Sequence, residues 1–359
     1  MRKPMIFVLK LLLFIAGLLV LGGCWDNKDI NHRSLPIIMG VSMQDDKFTV
    51  YLDIPQVTQS GQTIDIVSYT GATLNEIVDK ISMNMESEVD LLHLKVIVVD
   101  KAYAEHGLKD SISSFMRSRE ISAKTIVVIC DEDLGYFFKR LNVLSNREHT
   151  FLYDFFRKNA GWNPQIADTR TWQIFRSIDS YTRDVALPIV KSGKTTAIES
   201  MGSAIVKNGK MVGRLSPEET LIFNAFNGAS SQGKIEVMDH ATVKIVDNTL
   251  SHQTSFANGK ASLTSTINLK VTILDTKGVV STDLIGQELE ELLTTRCNNM
   301  IKRLQKYEAD ILGIGQLFRN KLTREQLTRW RTDYYPSMNI DVKVQSIIQN
   351  MGNLKSSAS

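Results

Sequence analysis

From Leu11 to Gly23 the chain holds thirteen residues without a polar side chain, and the run stops at Cys24. This feature constrains the fold most, because a stretch so apolar belongs to a bilayer or an export signal, and the folded body must come from the residues beyond it. Arg2, Lys3 and Lys10 precede or interrupt the run. A spanning helix needs ~20 predominantly apolar residues, and Lys10 leaves this stretch short of that. A cationic start, a short apolar core and small residues before a cut are instead the layout of a secretory signal. A plain transmembrane anchor is the rival reading.

Leu21-Gly22-Gly23-Cys24 resembles the bacterial lipobox, with Gly22 where Ala or Ser is commoner. The expectation is therefore a signal peptide over residues 1–23, with diacylglyceryl and N-acyl groups on Cys24 and a membrane-proximal tether over 24–36. Loss of the signal removes three basic residues and no acid, so the 42 basic and 39 acidic residues of the whole chain become 39 against 39. No basic footprint for DNA or RNA remains, and no nucleic-acid partner is expected.

Without the signal, 336 residues remain (359 less 23), enough for two or three domains. "PIIMGVSM" and "KFTVYLDIP" read as strands joined at Gln44-Asp45-Asp46. "TGATLNEIVDKISMNM" reads as a helix: Leu74, Ile77, Val78 and Ile81 recur at helical spacing and Thr73 can cap it. "LLHLKVIVVD" and "AKTIVVICD" read as buried strands, with "KAYAEHGLKDSISSFMRS" a helix between them. This alternation indicates a mixed α/β layer. Residues 131–192 turn aromatic, with a break at Gly161-Trp162-Asn163-Pro164; the aromatics suit a core better than a ligand or membrane surface. "DVALPIVKSGKTTAIES" reads as an exit strand and a linker. The region 37–192 forms one N-terminal unit, or two subdomains.

The C-terminal half, 200–352, is expected to form an antiparallel sheet covered by one long helix, making the whole an α+β, multidomain chain. Asn208-Gly209 between apolar runs marks a hairpin. Ser216-Pro217-Glu218-Glu219 carries a capping box with Pro in the first helical turn. "KIEVMDHATVKIVDN" alternates through Ile235, Val237, Ala241, Val243 and Ile245, and "LTSTINLKVTIL" through Leu263, Ile267, Leu269, Val271 and Ile273, as half-solvated antiparallel strands do. Between Asp283 and Leu312, a stripe of Leu289, Leu293, Cys297, Met300, Leu304, Tyr307 and Ile311 predicts a helix ~45 Å long. The stripe suits a core face better than a seam for a partner. "LTREQLTRW" adds a short helix and "NIDVKVQSII" a last strand.

Motifs that carry chemistry are missing. The six His residues do not fall at zinc-ligand spacings. There is no nucleophile elbow and no dinucleotide glycine fingerprint, and Pro188 spoils a phosphate-loop reading of Gly193-Lys194-Thr195. His93, inside an apolar run, reads as a hydrogen-bonded core histidine rather than a catalytic one. Cys130 and Cys297 read as free buried thiols, with a disulfide as the alternative. No catalytic residue, metal site or cofactor is expected. That shifts the weight to binding or assembly.

"CWDNKDIN" resembles the mature start of the Ger(x)C lipoproteins, the C subunits of spore germinant receptors in Bacillus and its relatives. Cys24, Trp25, Asp26, Lys28, Asp29 and Ile30 carry the pattern, with Asp29 in place of the commoner Glu. The resemblance runs on through "LLHLKVIVVD", "VALPIV", "GSAIVKNGKMVGRLSPEET" and "YEADILGIGQLFRN", the last similar to the family's Asp-x-x-Gly-x-Gly segment. It implies a non-enzymatic subunit, lipid-anchored on the outer face of the spore's inner membrane. Its implied partners are membrane lipid and two integral-membrane receptor subunits, A-type and B-type, in a complex that senses nutrients and triggers germination. An indole favours the membrane interface, which suggests a contact for Trp25 there. The rivals are a solute-binding lipoprotein of a transporter, normally two similar α/β lobes, and a lipid-anchored hydrolase.

Overall fold

The computed structural model describes residues 33–58, 61–144, 150–157, 163–229 and 231–350. Cys24 and Trp25, the expected signal and most of the tether lie outside the described residues, as do Gly161 and Trp162.

The chain opens with a short strand β1 (Arg33–Ser34), then β2 (Ile38–Gln44), β3 (Lys47–Thr58) and β4 (Gly61–Gly71). Asp45 and Asp46 both take positive φ, at 48° and 56°, the twist that lets a two-residue turn join paired strands. Helix α1 (Leu74–Met83) starts where expected: the Thr73 hydroxyl accepts from the Glu76 amide at 3.2 Å. A second short strand β5 (Glu88–Val89) pairs with β1. The stretch read as one strand from Leu91 divides, with a tight turn at Leu91–His93 before β6 (Val96–Asp100). His93 is exposed there, which corrects the expectation of a core histidine; the turn, capped by Asp90, aims it outward. The helix expected over 101–118 is likewise two, α2 (Lys101–His106) and α3 (Lys109–Ser118), broken at Gly107 with φ 136°. Strand β7 (Ile126–Cys130), helices α4 (Leu134–Leu144), α5 (Phe151–Arg157) and α6 (Thr171–Ile178), and strands β8 (Val185–Ser192), β9 (Ile198–Lys207) and β10 (Lys210–Leu215) complete this part.

All of these strands except the β1–β5 pair form one eight-stranded sheet in the order β10-β9-β8-β7-β6-β2-β3-β4. Its centre, β2-β6-β7-β8, is parallel, and antiparallel hairpins extend both edges. A parallel centre covered on both faces demands continuous apolar strands. Val96–Val99 and Ile126–Cys130 meet that demand and are buried throughout. Ile97, Val99, Val127 and Ile129 pack with α1, α2, α3 and α6 on one face. Val96, Val98, Ile126 and Val128 pack with α4 and α5 on the other. The aromatic set divides accordingly: Phe137, Phe138 and Phe156 are core, whereas Tyr136 and Trp172 are exposed. Residues 193–197, read as part of a linker, instead turn the chain back along the same sheet, with the Gly193 amide on the Ala197 carbonyl.

Helix α7 (Pro217–Phe226) leads to a second sheet of β11 (Ile235–Val237), β12 (Ala241–Ala257), β13 (Lys260–Thr276) and, after helices α8 (Thr282–Lys306) and α9 (Arg324–Thr328), β14 (Asn339–Asn350). It is antiparallel over β11-β12-β13, and β14 adds a parallel edge. The first long alternating strand is thus interrupted at 238–240. Ile235 and Val237 are exposed, at 45% and 68%, because their pairing buries Glu236 instead, which accepts from Arg296 of α8 at 3.1 Å. Helix α8 lays Leu289, Leu293, Cys297, Met300 and Leu304 onto the apolar sheet face. It stops at Lys306, not Leu312, so at 1.5 Å per residue it is ~37 Å long. Tyr307, at its end, is 37% exposed, and Ile311 joins the core from beyond the helix. Cys130 and Cys297 are free and buried, and burial pushes each thiol up to about 12. The fold is α+β, with two large, unlike sheets beside the small β1–β5 pair and no pair of matching lobes among the described residues.

Candidate functional site

Where the two sheets meet, three charged side chains, Asp184, Asp310 and Arg331, are buried together with Trp330, and the exposed Asn208 borders them. Asp184 stands just before β8, Asn208 in the β9–β10 turn, Asp310 beyond α8, and Trp330 and Arg331 in the turn of helix after α9. The Asp184 carboxylate accepts from Arg331 Nη2 at 2.6 Å and Nε at 3.0 Å, a two-pronged pairing. It also accepts from the amides of Asn208 at 3.2 Å and Asp310 at 2.9 Å. In return the Asp184 amide donates to the Asp310 carbonyl at 2.8 Å. Arg331 Nη1 reaches Asn208 Oδ1 at 2.7 Å. Each of these charged groups finds a partner, as burial requires.

The Asp310-x-x-Gly313-x-Gly315 segment has a local logic of its own. Asp310 accepts from the amides of Ile314 at 2.8 Å and Gly315 at 2.7 Å, closing a tight turn over Ile314–Phe318. Its second oxygen also takes the Trp330 indole N–H at 2.9 Å. Gly313 sits at φ 67°, a left-handed position that favours glycine. At Gly315 a Cβ would lie 2.6 Å from Trp330 Nε1 and 2.8 Å from Thr182 Cβ. The spacing of one acid and two glycines thus lets an indole and a turn share one carboxylate.

Burial raises both carboxyls, Asp310 to about 6, and the charge on Asp184 adds to the effect at Asp310. The Arg331 guanidinium offsets part of the cost at Asp184. With side-chain exposures of 0% for Asp184 and 10% for Arg331, the pair is closed to solvent. Its chemistry is that of a clasp. Further links run alongside: Arg303 of α8 to Glu219 of α7 at 2.6 Å, and Lys207 to Glu308 at 2.9 Å.

Beside the clasp lies an open cleft of about 630 Å³, walled by Trp172 and Arg176 of α6, Arg183, and Phe223 of α7. Arg176 and Arg183 also border a second cleft of about 650 Å³ that reaches Gln316 and Arg319. Among the described residues no three His, Cys, Asp or Glu side chains are grouped to hold a metal ion. Reading the residues singly missed Asp184 and Arg331, which lie 147 positions apart; the Asp-x-x-Gly-x-Gly segment entered only as part of the family resemblance, with no role assigned to Asp310. Cys24 and Trp25 lie outside the described residues.

Comparison with known proteins gives a consistent result over most of the chain. A family model described as the spore germination protein N-terminal domain matches residues 26–192. A second, described as spore germination B3/GerAC like, C-terminal, matches residues 201–352. Spore germination protein A3 of Bacillus subtilis (strain 168) is 22% identical over 371 residues, covering 95% of this chain and 97% of that protein. Spore germination protein GerQC of Bacillus cereus is 21% identical over 290 residues, covering 75% and 78%. The crystal structure of the GerBC protein shares the fold, with a TM-score of 0.57 at 14% identity over 87% of this chain and 97% of that one.

Proposed function

The chain belongs to the spore germination protein family of the GerAC type and has a role in germination, and from that premise we propose that it is a lipid-anchored, non-catalytic subunit of a nutrient germinant receptor. One observation carries the reading: the family match begins at Asp26, two residues past the Cys24 of a lipobox-like segment. Signal removal before Cys24 leaves the matched body on a short tether at the exported face of the membrane, with Trp25 at the lipid interface. No helix of the described residues is long and apolar enough to cross a membrane; in this reading the acyl groups on Cys24 hold the protein there. The partners are two integral-membrane subunits, A-type and B-type. Residues 37–192 and 200–352 are the two units of the body, joined through the shared sheet and the Asp184–Arg331 clasp. The two unlike large sheets favour this reading over a solute-binding lipoprotein.

Tagged protein extracted in detergent from spore membranes should bring down two polytopic membrane proteins, and deletion of its gene should abolish the response to at least one nutrient. Recovery of the chain alone, with every nutrient response intact, would remove the receptor reading.

A further inference from the structure

Two of the arginines lining the cleft beside the clasp, Arg176 and Arg183, have no ion-pair partner among the described residues. Arg331 occupies the Asp184 carboxylate in two-pronged fashion, so the adjacent Arg183 is left to donate to the neutral Asn227 Oδ1 at 2.8 Å. Gly313 lets Arg183 lie close: a Cβ there would come within 2.8 Å of its Nε. Arg176 faces the same opening with its guanidinium 4.9 Å from the centre of the Trp172 ring. Among the described residues neither arginine has a carboxylate partner. Asp168, the other acid of the wall, is engaged by Arg170 at 3.1 Å and lies 4.0 Å from Arg157. The two uncommitted cations feel each other. Burial, and next the charge of Arg176, hold Arg183 below the usual arginine range against a smaller opposing pull from Asp310. Aromatic side chains, Trp172 and Phe223, supply an apolar wall next to this charge.

Arg183 is half-buried, and a half-buried cation without a counter-charge is costly unless something pairs with it; Arg176 is exposed and lines the same cleft. Guanidinium forks match oxyanions in two-pronged geometry, and pockets with an apolar wall and a few convergent polar groups are the usual form of small-molecule sites. We propose that the cleft bordered by Arg176 and Arg183 binds a small organic oxyanion, a carboxylate or phosphate carried on an apolar group. The charged end lies between the two guanidinium groups and the apolar end against Trp172 and Phe223. The inference does not depend on the receptor reading, since it rests on this chain's own side chains.

The test titrates the detergent-solubilised full chain with phenylacetate, phenyl phosphate and the neutral phenylacetamide by calorimetry. Saturable binding of at least one of the two anions, with none of the amide, is expected, and the tighter anion assigns the oxyanion. Removing one charged hydrogen-bond donor typically weakens binding about tenfold or more. Arg176→Gln should do so with the fold intact, because Arg176 is exposed and makes no ion pair among the described residues; Arg183→Lys should weaken the same anion while keeping the charge. Lys343→Gln, an exposed charge elsewhere, should leave binding unchanged. The proposal is overturned if neither anion binds saturably, if the amide binds equally well, or if Lys343→Gln matches the effect of Arg176→Gln.

Discussion

Asp53 is a carboxyl in the wrong solvent. It sits in β3 at 3% exposure, and its Oδ1 has no hydrogen-bond partner. Burial pushes it from 3.8 to about 7. A folded pKa above the unfolded one means the native state holds its proton more tightly. The contribution to stability is therefore full below about pH 4 and is lost as pH rises through 7. A rise of roughly three units corresponds to at most about 4 kcal/mol. Asp53→Asn should raise the unfolding free energy at pH 8 and flatten its decline between pH 5 and 8, read by denaturant titration. Asp310 shares the sign, raised to about 6, so a smaller slope should persist in the variant. A variant as steep as the wild type would show that Asp53 does not titrate in this range. At this scale local chemistry was legible where one residue decides it. Ser216 and Glu219 form the expected reciprocal cap, at 3.2 and 2.9 Å. His93 was misread because a run of apolar letters does not reveal a turn within it.

Whole elements were legible where periodicity is strong. The stripe on α8 held from Leu289 to Leu304, and the Asn208–Gly209 turn, at φ 51° and 79°, stands where the dipeptide placed it. The same dipeptide at Asn258–Gly259, φ 52° and 74°, closes the β12–β13 hairpin but drew no reading, because its flanks are rich in Ser, Thr and Lys. Strand β4 escaped for a related reason: it is an edge strand whose alternation is largely polar. The α8 stripe yields a direct prediction. Truncating a buried leucine removes contacts and leaves a cavity, typically at 2–5 kcal/mol. Leu293→Ala and Leu304→Ala should each destabilise the isolated chain by that amount in denaturant unfolding, whereas exposed Lys306→Ala should change little. Glu290→Ala should also cost stability, because Glu290 accepts from the Ser346 amide at 2.7 Å and hydroxyl at 3.0 Å and so holds the edge strand β14 to the helix. Leucine variants that unfold with the wild type would mean the stripe serves a partner instead.

For the molecule as a whole, the join between the sheets was the least legible part, since pairing residues 147 positions apart needs the fold itself. Breaking a buried ion pair from one side strands the other charge, at about 3–5 kcal/mol. Arg331→Ala should accordingly lower the unfolding midpoint and speed hydrogen exchange of the Ile314 and Gly315 amides, which depend on Asp310 beside the clasp. Unchanged exchange there would mean the clasp does not hold the two parts together. The anchor completes the account. One acyl chain binds a membrane only marginally, ~10⁴ M⁻¹, whereas two hold it stably, so diacylglyceryl transfer to Cys24 should decide where the protein resides. The most direct measurement is incorporation of labelled lipid into the wild type and Cys24→Ala, with membrane fractionation of both. Label on the wild type alone, with unprocessed Cys24→Ala precursor and loss of the nutrient response, is predicted; equal labelling of the two proteins would contradict the anchor.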